Sequence, residues 1–356
     1  MGGVIAIDAK IGEHLQTLNF ILDTGSAGIS LDSATCREMN ILMKPTDTTV
    51  SGIAGVKKVP FVFNMPFKIG NLITEHLNFY VNDYRLLSST YGEKIDGIIG
   101  YSFLSKYIVN INFDSGLIKI YKPAGFKYER GGTVLHPSFR KLASQTVTIT
   151  DRNKSPFNFY LDTGAGLCLL MTERFIKDSS ILLSSRRPVV TQAEGLGGKK
   201  SMRLTVIKSL RLGPYKFKKV PVYLYNDELN IMSYPYTGGL LGSDIMRRFN
   251  ITLNYPANEI HIIPNTHYNE NFDYAYTGMS LYVLNSKVII DDIISGSPAE
   301  KAGLKNGDEI ISVSAIVFGT IQEYKNLLQK TREAIKIIIK RENKILFLSM
   351  QPVSIL

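Results

Sequence analysis

Two aspartates stand in nearly identical surroundings. Asp23-Thr24-Gly25 ends the apolar run LNFILDT, residues 18–24, and Asp162-Thr163-Gly164 ends FNFYLDT, residues 157–163. Both runs read as strands, and a small residue follows each tripeptide, Ser26 in one copy and Ala165 in the other. A carboxylate delivered from a strand end into a tight turn is placed for general acid or base work, with Gly25 or Gly164 expected to accept a positive φ. One such tripeptide arises by chance at about one position in several thousand. Two in matched contexts point to a pair of carboxylates acting together.

The match continues downstream. SGIAGVKK (51–58) and DGIIGYSFL (96–104) follow the first aspartate, and EGLGGKK (194–200) and GGLLGSDIM (238–246) follow the second, in the same order and at nearly constant offset. Such self-similarity predicts two homologous lobes from one polypeptide. The glycine-rich segments Gly52-Ile53-Ala54-Gly55 and Gly195-Leu196-Gly197-Gly198 have the composition of hairpin tips, and a covering role is expected of them. Lys57-Lys58 and Lys199-Lys200 just after them read as solvated hairpin arms.

The elements that must hold these residues read as strands, since the runs VIAIDAKI, LNFILDT, FVFNMPFKI, TVTIT and FNFYLDT are short, β-branched or aromatic, and bounded by turn residues. The fold class expected is mainly all-β, two pseudo-twofold β-barrel lobes plus a small α+β domain. One short helix is predicted after each hydrophobic-hydrophobic-Gly element, at 102–108 and 243–249, capped by Ser102 or Ser243. Hairpins at 110–121 and 250–263 are expected to close the lobes, with 122–132 connecting them. The divisions are residues 1–122, 123–264 and 270–356.

Composition narrows the function classes. Hydrophobic residues make up 44% and charged residues 20% of 356 positions, the balance of a globular chain with a core to bury. The net charge of +10 is scattered as pairs such as Arg186-Arg187 and Arg247-Arg248, which read as solvated faces rather than a nucleic-acid surface, so no nucleic-acid partner is expected. Cys36 and Cys168 sit at different distances after the two motifs and read as small buried hydrophobes. The five histidines lack metal-ligand spacing, so no metal and no cofactor are expected. No apolar stretch reaches membrane-spanning length, and Ala6 stands where a myristoylation pattern after Gly2 wants Ser or Thr. The first fifteen residues lack the pattern of an export signal.

On these motifs, residues 3–264 resemble the pepsin and retropepsin superfamily of aspartic peptidases. That resemblance implies that the two Asp-Thr-Gly loops meet at a pseudo-twofold axis, with Ile98-Ile99-Gly100 and Leu240-Leu241-Gly242 threaded behind them. Asp23 and Asp162 would then face each other as the catalytic pair, share one proton, and activate a water against a peptide carbonyl, one as base and one as acid; shared-proton carboxylates of this enzyme class are a standard example of coupled titration. Thr24 and Thr163 would bond across to the opposite loops. Ser26 can offer a hydroxyl to Asp23 where Ala165 cannot, so Asp23 is expected to carry the charge. The glycine tips resemble those of retropepsins, which implies two flaps, and one chain supplies a complete site without a second copy.

Residues 272–354 resemble a PDZ domain of bacterial style, carried by GSPAEKAGL and the GDEI that follows. Thr320 and Glu323 make a capping box for a helix bearing Ile321, Tyr324, Leu327 and Leu328. The resemblance implies that Gly278-Met279-Ser280-Leu281 receives the carboxylate of a peptide C-terminus that adds as a strand. A domain that packs on the lobes and takes no free peptide is the alternative at this point, as is a lobed peptide-binding protein that does not cleave. The bacterial style implies a periplasmic, envelope or secreted location if a leader was removed.

Overall fold

The structure, a computed structural model, describes residues 3–53, 55–195, 198–274, 276–329 and 333–356. The first lobe is built from β1 (Ile5–Ile11), β2 (Leu18–Leu22), β3 (Ile29–Asp32), β4 (Thr49–Gly52), β5 (Gly55–Lys58), β6 (Phe61–Ile69), β7 (Leu72–Asn82) and β8 (Gly97–Ile99). Helices α1 (Ser33–Glu38), α2 (Arg85–Tyr91) and α3 (Tyr101–Leu104) interrupt them. In β1 the residues Ile5, Ile7, Ala9 and Ile11 are buried while Asp8 is exposed, the period-two pattern of a strand with one wet face. Six strands close a barrel in the order β1-β2-β8-β3-β7-β6, which leaves the β4–β5 hairpin standing clear of it. Phe67 fills its centre, meeting Phe20, Phe79 and Phe103 edge-on at ring separations of 5.1, 5.7 and 6.0 Å.

The chain continues through β9 (Ile108–Asn112), β10 (Leu117–Tyr121) and β11 (Thr133–Leu135) into the second lobe. That lobe comprises β12 (Ser138–Arg140), β13 (Leu142–Thr150), β14 (Lys154–Asp162), β15 (Leu169–Thr172), β16 (Val189–Gly195), β17 (Gly198–Leu212), β18 (Tyr215–Tyr225) and β19 (Gly239–Gly242), with α4 (Glu173–Ser179) and α5 (Ser243–Met246). Because β13 pairs with both β14 and β17, this sheet also closes on itself. The two lobes share one register. β2 runs parallel to β8 with Ile21 opposite Ile98, and β14 runs parallel to β19 with Leu161 opposite Leu241.

Three expectations need correction. The hairpins β9–β10 and β20–β21, where β20 is Phe249–Asn254 and β21 is Glu259–Pro264, do not close separate lobes: β9 pairs with β20, and β10-β9-β20-β21-β11 form one sheet. Ile111 lies opposite Ile251 and the Asn110 amide donates to Thr252 Oγ1 at 2.9 Å, so the two halves fold on a shared floor. The caps of α3 and α5 are Gly100 and Gly242, not serines; Ser102 sits inside its helix, and Ser243 donates instead to the Ala165 carbonyl at 2.9 Å. Several basic pairs are not solvated. Arg248 is 1% exposed and donates to main-chain carbonyls of residues 244, 267, 268, 270 and 271, and Arg186 pairs with the buried Asp151. These side chains staple loops to the core, where an unpaired charge would cost several kcal/mol.

The C-terminal region forms a further sheet from β22 (Ser280–Leu284), β23 (Lys287–Asp291), β24 (Glu309–Val313), β26 (Ile335–Arg341) and β27 (Lys344–Met350), with β25 (Ile316–Val317) beside β24. Helix α6 (Pro298–Lys301) begins at a Ser297 cap, and α7 (Ile321–Leu328) carries the capping box of Thr320 and Glu323. Its own core gathers Ile290, Val313, Tyr324, Ile337 and Ile339. Cys36 and Cys168 are buried free thiols, and Cys168 Sγ donates to Asp244 Oδ2 at 3.0 Å. Among the described residues no helix is long and apolar enough to cross a membrane.

Candidate active site

Strands β2 and β14 end at the axis between the lobes, and their aspartates face one another. The carboxyls of Asp23 and Asp162 lie within hydrogen-bonding reach of each other. Backbone donors hold them: Gly25 N–H donates to Asp23 Oδ1 at 2.7 Å, while Gly164 and Ala165 N–H both donate to Asp162 Oδ1, at 2.9 and 3.0 Å. Neither glycine has positive φ, contrary to expectation. They are required for approach, since a Cβ on Gly25 would fall 2.5 Å from Asp162 Cγ, and one on Gly164 would fall 2.5 Å from Asp23 Cγ.

Behind the carboxyls, the threonines tie one loop to the other. Thr24 Oγ1 donates to the Leu161 carbonyl at 2.7 Å and accepts from Thr163 N–H at 3.0 Å; Thr163 Oγ1 donates to the Leu22 carbonyl at 2.8 Å and accepts from Thr24 N–H at 3.1 Å. Both threonines are buried. Four hydrogen bonds at roughly 1 kcal/mol each fix the separation of the aspartates better than either loop could alone. Strands β8 and β19 brace the loops from behind, where a Cβ on Gly100 would meet the Gly28 carbonyl at 2.3 Å and one on Gly242 the Leu167 carbonyl at 2.1 Å.

The electrostatics couple the pair. Burial, then the charge of Asp162 and a hydrogen bond to it, push Asp23 well above the usual carboxylate range, against the pull of the Gly25 and Gly164 amides. Burial raises Asp162 as well, but the hydrogen bond from Asp23 and the amides of Gly164 and Ala165 pull it back, favouring its anion. The contact on which the sequence expectation for Asp23 rested is not made. The Ser26 hydroxyl donates to the Gly28 carbonyl and meets Tyr80 Oη, each at 3.3 Å, rather than turning to Asp23. Tyr255, whose buried hydroxyl has no hydrogen-bond partner among the described residues, lies close enough to both aspartates that burial first, and their charges next, suppress its ionisation.

The β4–β5 hairpin reaches over to the other lobe. Ile53 packs among Leu170, Met202, Tyr225 and Leu240, and its carbonyl accepts a hydrogen bond from the Tyr225 hydroxyl. Gly52 pairs with Gly55 and Gly195 with Gly198, so both glycine segments are hairpin ends; Ala54, Leu196 and Gly197 lie outside the described residues. Gly55 and Gly198 have φ of +144° and +126°, where glycine is favoured. Lys199 is no solvated arm: its ammonium pairs with Asp291 at 2.6 Å and Asp292 at 3.3 Å in the C-terminal domain. In that domain Gly278 has φ of +65° and its carbonyl accepts from Ile294 N–H at 2.7 Å, while Ser280 and Leu281 begin β22 and Met279 borders its core.

Tyr80, Tyr225 and Tyr255 were not singled out from the sequence. A signal existed for Tyr80 alone, since Tyr80-Val81 and Tyr223-Leu224 stand at matching places in β7 and β18, opposite Ser30-Leu31 and Leu170-Met171. Their partners come from the opposite lobe or from a distant turn, which no local pattern announces.

A family model described as aspartyl protease matches residues 7–103 and again residues 146–245, and a PDZ domain model matches residues 289–341. A search of curated proteins gave no match. The two matched segments are the two barrels, each contributing one Asp-Thr-Gly loop, and together they exceed half the chain: this protein belongs to the aspartyl protease family and carries a PDZ domain.

Proposed function

We propose that the chain is an endopeptidase in which Asp162 is the general base and Asp23 the general acid. A water held between the two carboxyls gives a proton to ionised Asp162 as its oxygen attacks the scissile carbonyl, and Asp23 donates its proton to the carbonyl oxygen. The product of that step is a neutral gem-diol, with no bond to the enzyme. Collapse to the two peptide products returns the protons, as microscopic reversibility requires. The observation that carries this reading is the carboxyl pair within mutual hydrogen-bonding reach, fixed by the Thr24 and Thr163 hydroxyls at a cleft crossed by Ile53.

The substrate would lie extended between the lobes, with the β4–β5 and β16–β17 hairpins offering main-chain groups and Leu170, Met202 and Leu240 offering apolar wall. In this reading Gly25, Gly164, Thr24 and Thr163 position the dyad, and Ser26 and Ala165 support its loops. The test is cleavage of a peptide library, read by mass spectrometry from pH 3 to 8, with Asp23→Asn and Asp162→Asn as controls and pepstatin as a ligand. Cleavage lost in both variants supports the proposal; equal cleavage by a variant and the parent ends it.

A further inference from the structure

Strand β22 is the outer strand of the PDZ sheet, pairing with β23 on one side alone. Its free edge, with α7 beside it, is where an extended peptide would add. That place is already taken. Helix α2 of the first lobe packs on β22, and Gly92, the residue that caps α2 in the left-handed conformation at φ +76°, is wedged between strand and helix. A Cβ there would fall 2.4 Å from Ile321 Cγ2 of α7 and 3.2 Å from Val283 Cγ2 of β22. Lys325 of α7 donates to the Thr90 carbonyl at 3.1 Å, completing the seat.

The same helix reaches the catalytic loop. The Tyr91 hydroxyl lies 3.5 Å from the carbonyl oxygen of Gly164, two residues after Asp162, and Leu87 and Tyr91 pack on the cluster of Ile21, Tyr84 and Ile98 beneath the first loop. A second tie runs from the β17 arm: the Lys199 ammonium pairs with Asp291 and Asp292 and sits 4.2 Å above the ring of Tyr282 in β22, whose hydroxyl donates to Asp292 at 2.6 Å. One PDZ edge therefore holds a helix that touches one catalytic loop and an arm of the hairpin beside the cleft. With seven residues and no side-chain N-cap, α2 has little stability of its own and depends on these contacts.

We propose that α2 is the built-in occupant of the PDZ groove, that a peptide ending in a free carboxylate enters by displacing it, and that the exchange is transmitted to the Gly164 loop and the Lys199 arm. This rests on the peptidase reading only for its effect on cleavage; the competition itself does not need it. Linkage makes the coupling reciprocal, so loosening α2 must tighten peptide binding by the factor that α2 now withholds, of the order of 5- to 150-fold.

The experiment uses the full chain carrying Asp23→Asn, so that the probe survives. Fluorescein-labelled eight-residue peptides, randomised except for a C-terminal Val, Leu, Ile or Phe with a free carboxylate, are titrated by anisotropy against their C-terminal amides. Gly92→Val, which inserts bulk into the occupied groove, is compared with its parent, and Lys325→Ala, which removes the hydrogen bond to the Thr90 carbonyl, serves should Gly92→Val fold poorly by circular dichroism. At least five-fold tighter binding of the free-carboxylate probes by the opened variant, with faster amide exchange at residues 85–92 and 162–165 on peptide addition to the parent, is the expected result. Equal affinity in parent and variants, no binding to any of them, or binding that leaves exchange at 85–92 unchanged overturns the proposal. Absence of cleavage by the chain with Asp23 intact would count against the peptidase reading alone.

Discussion

The Tyr225 hydroxyl donates to the main-chain carbonyl of Ile53, joining the wall of the second lobe to the hairpin tip of the first. With the Ile53 side chain set among Leu170, Met202 and Leu240, the hairpin is held across the cleft by that hydrogen bond and an apolar seat. Tyr225→Phe keeps the ring and removes the bond, a change of about 1 kcal/mol or roughly five-fold in an equilibrium constant. KM for a cleaved peptide should rise by about that factor with little change in kcat. An unchanged KM would mean that the latch plays no part in substrate binding.

Replacing either aspartate by asparagine keeps the size of the side chain and removes the proton chemistry. Asp23→Asn and Asp162→Asn should each lower kcat by roughly 10²- to 10⁴-fold or more while leaving the fold intact by circular dichroism. Retained turnover in either variant would remove that residue from the mechanism.

The raised Asp23 also makes a statement about stability. In the unfolded chain this carboxyl releases its proton near its ordinary value of 3.8, whereas in the folded protein burial, and then the nearby Asp162, hold the proton to higher pH. Folding therefore takes up a proton in that window. Its stabilising contribution is complete below pH 3.8 and is lost as pH rises through the elevated value. Asp23→Asn cannot lose it, so the variant should gain on the parent in urea unfolding between pH 4 and pH 7. A constant difference across that range would contradict the assignment of the proton to Asp23. Cleavage by the parent should fall on the alkaline side as Asp23 ionises and on the acid side as Asp162 is protonated.

Ser26 offers a sharper check on the division of labour. Because its hydroxyl is engaged with Gly28 and Tyr80, Ser26→Ala should leave both limbs of the pH-rate profile within about 0.3 units of the parent, well below the roughly one-unit scatter typical of carboxyls in proteins. A large shift of either limb would place that hydroxyl on Asp23 after all.

For the threonine lattice, Thr24→Val is nearly isosteric and strips the hydroxyl, leaving the Leu161 carbonyl and the Thr163 amide buried without partners. At about 1–3 kcal/mol for each stranded group, the variant should unfold at distinctly lower urea concentration, with Thr24→Ser close to the parent. Coincident unfolding of the valine variant and the parent would show that the lattice contributes nothing.

Much of this was written in the chain. Asp23 and Asp162 were legible because the repeat duplicates a strand, a turn and a glycine-backed brace, and each of those signals is local: an apolar run, a tripeptide, a pair of aliphatic residues before Gly100 or Gly242. Thr320 with Glu323 announced the start of α7 for the same reason, since a capping box is completed within four residues. Local spacing could not reveal which carboxyl keeps the proton. In the proposed division that turns on burial and on the charge between the two aspartates, while the Ser26 hydroxyl, on which the sequence expectation rested, turns to Gly28 and Tyr80. Nor could it reveal that Arg248 is buried, that β9 pairs with β20, or that Gly92 packs against Ile321 and Val283. Those facts join residues roughly twenty to more than two hundred positions apart, and their energies come from desolvation and close packing, which exist only once the chain has folded on itself.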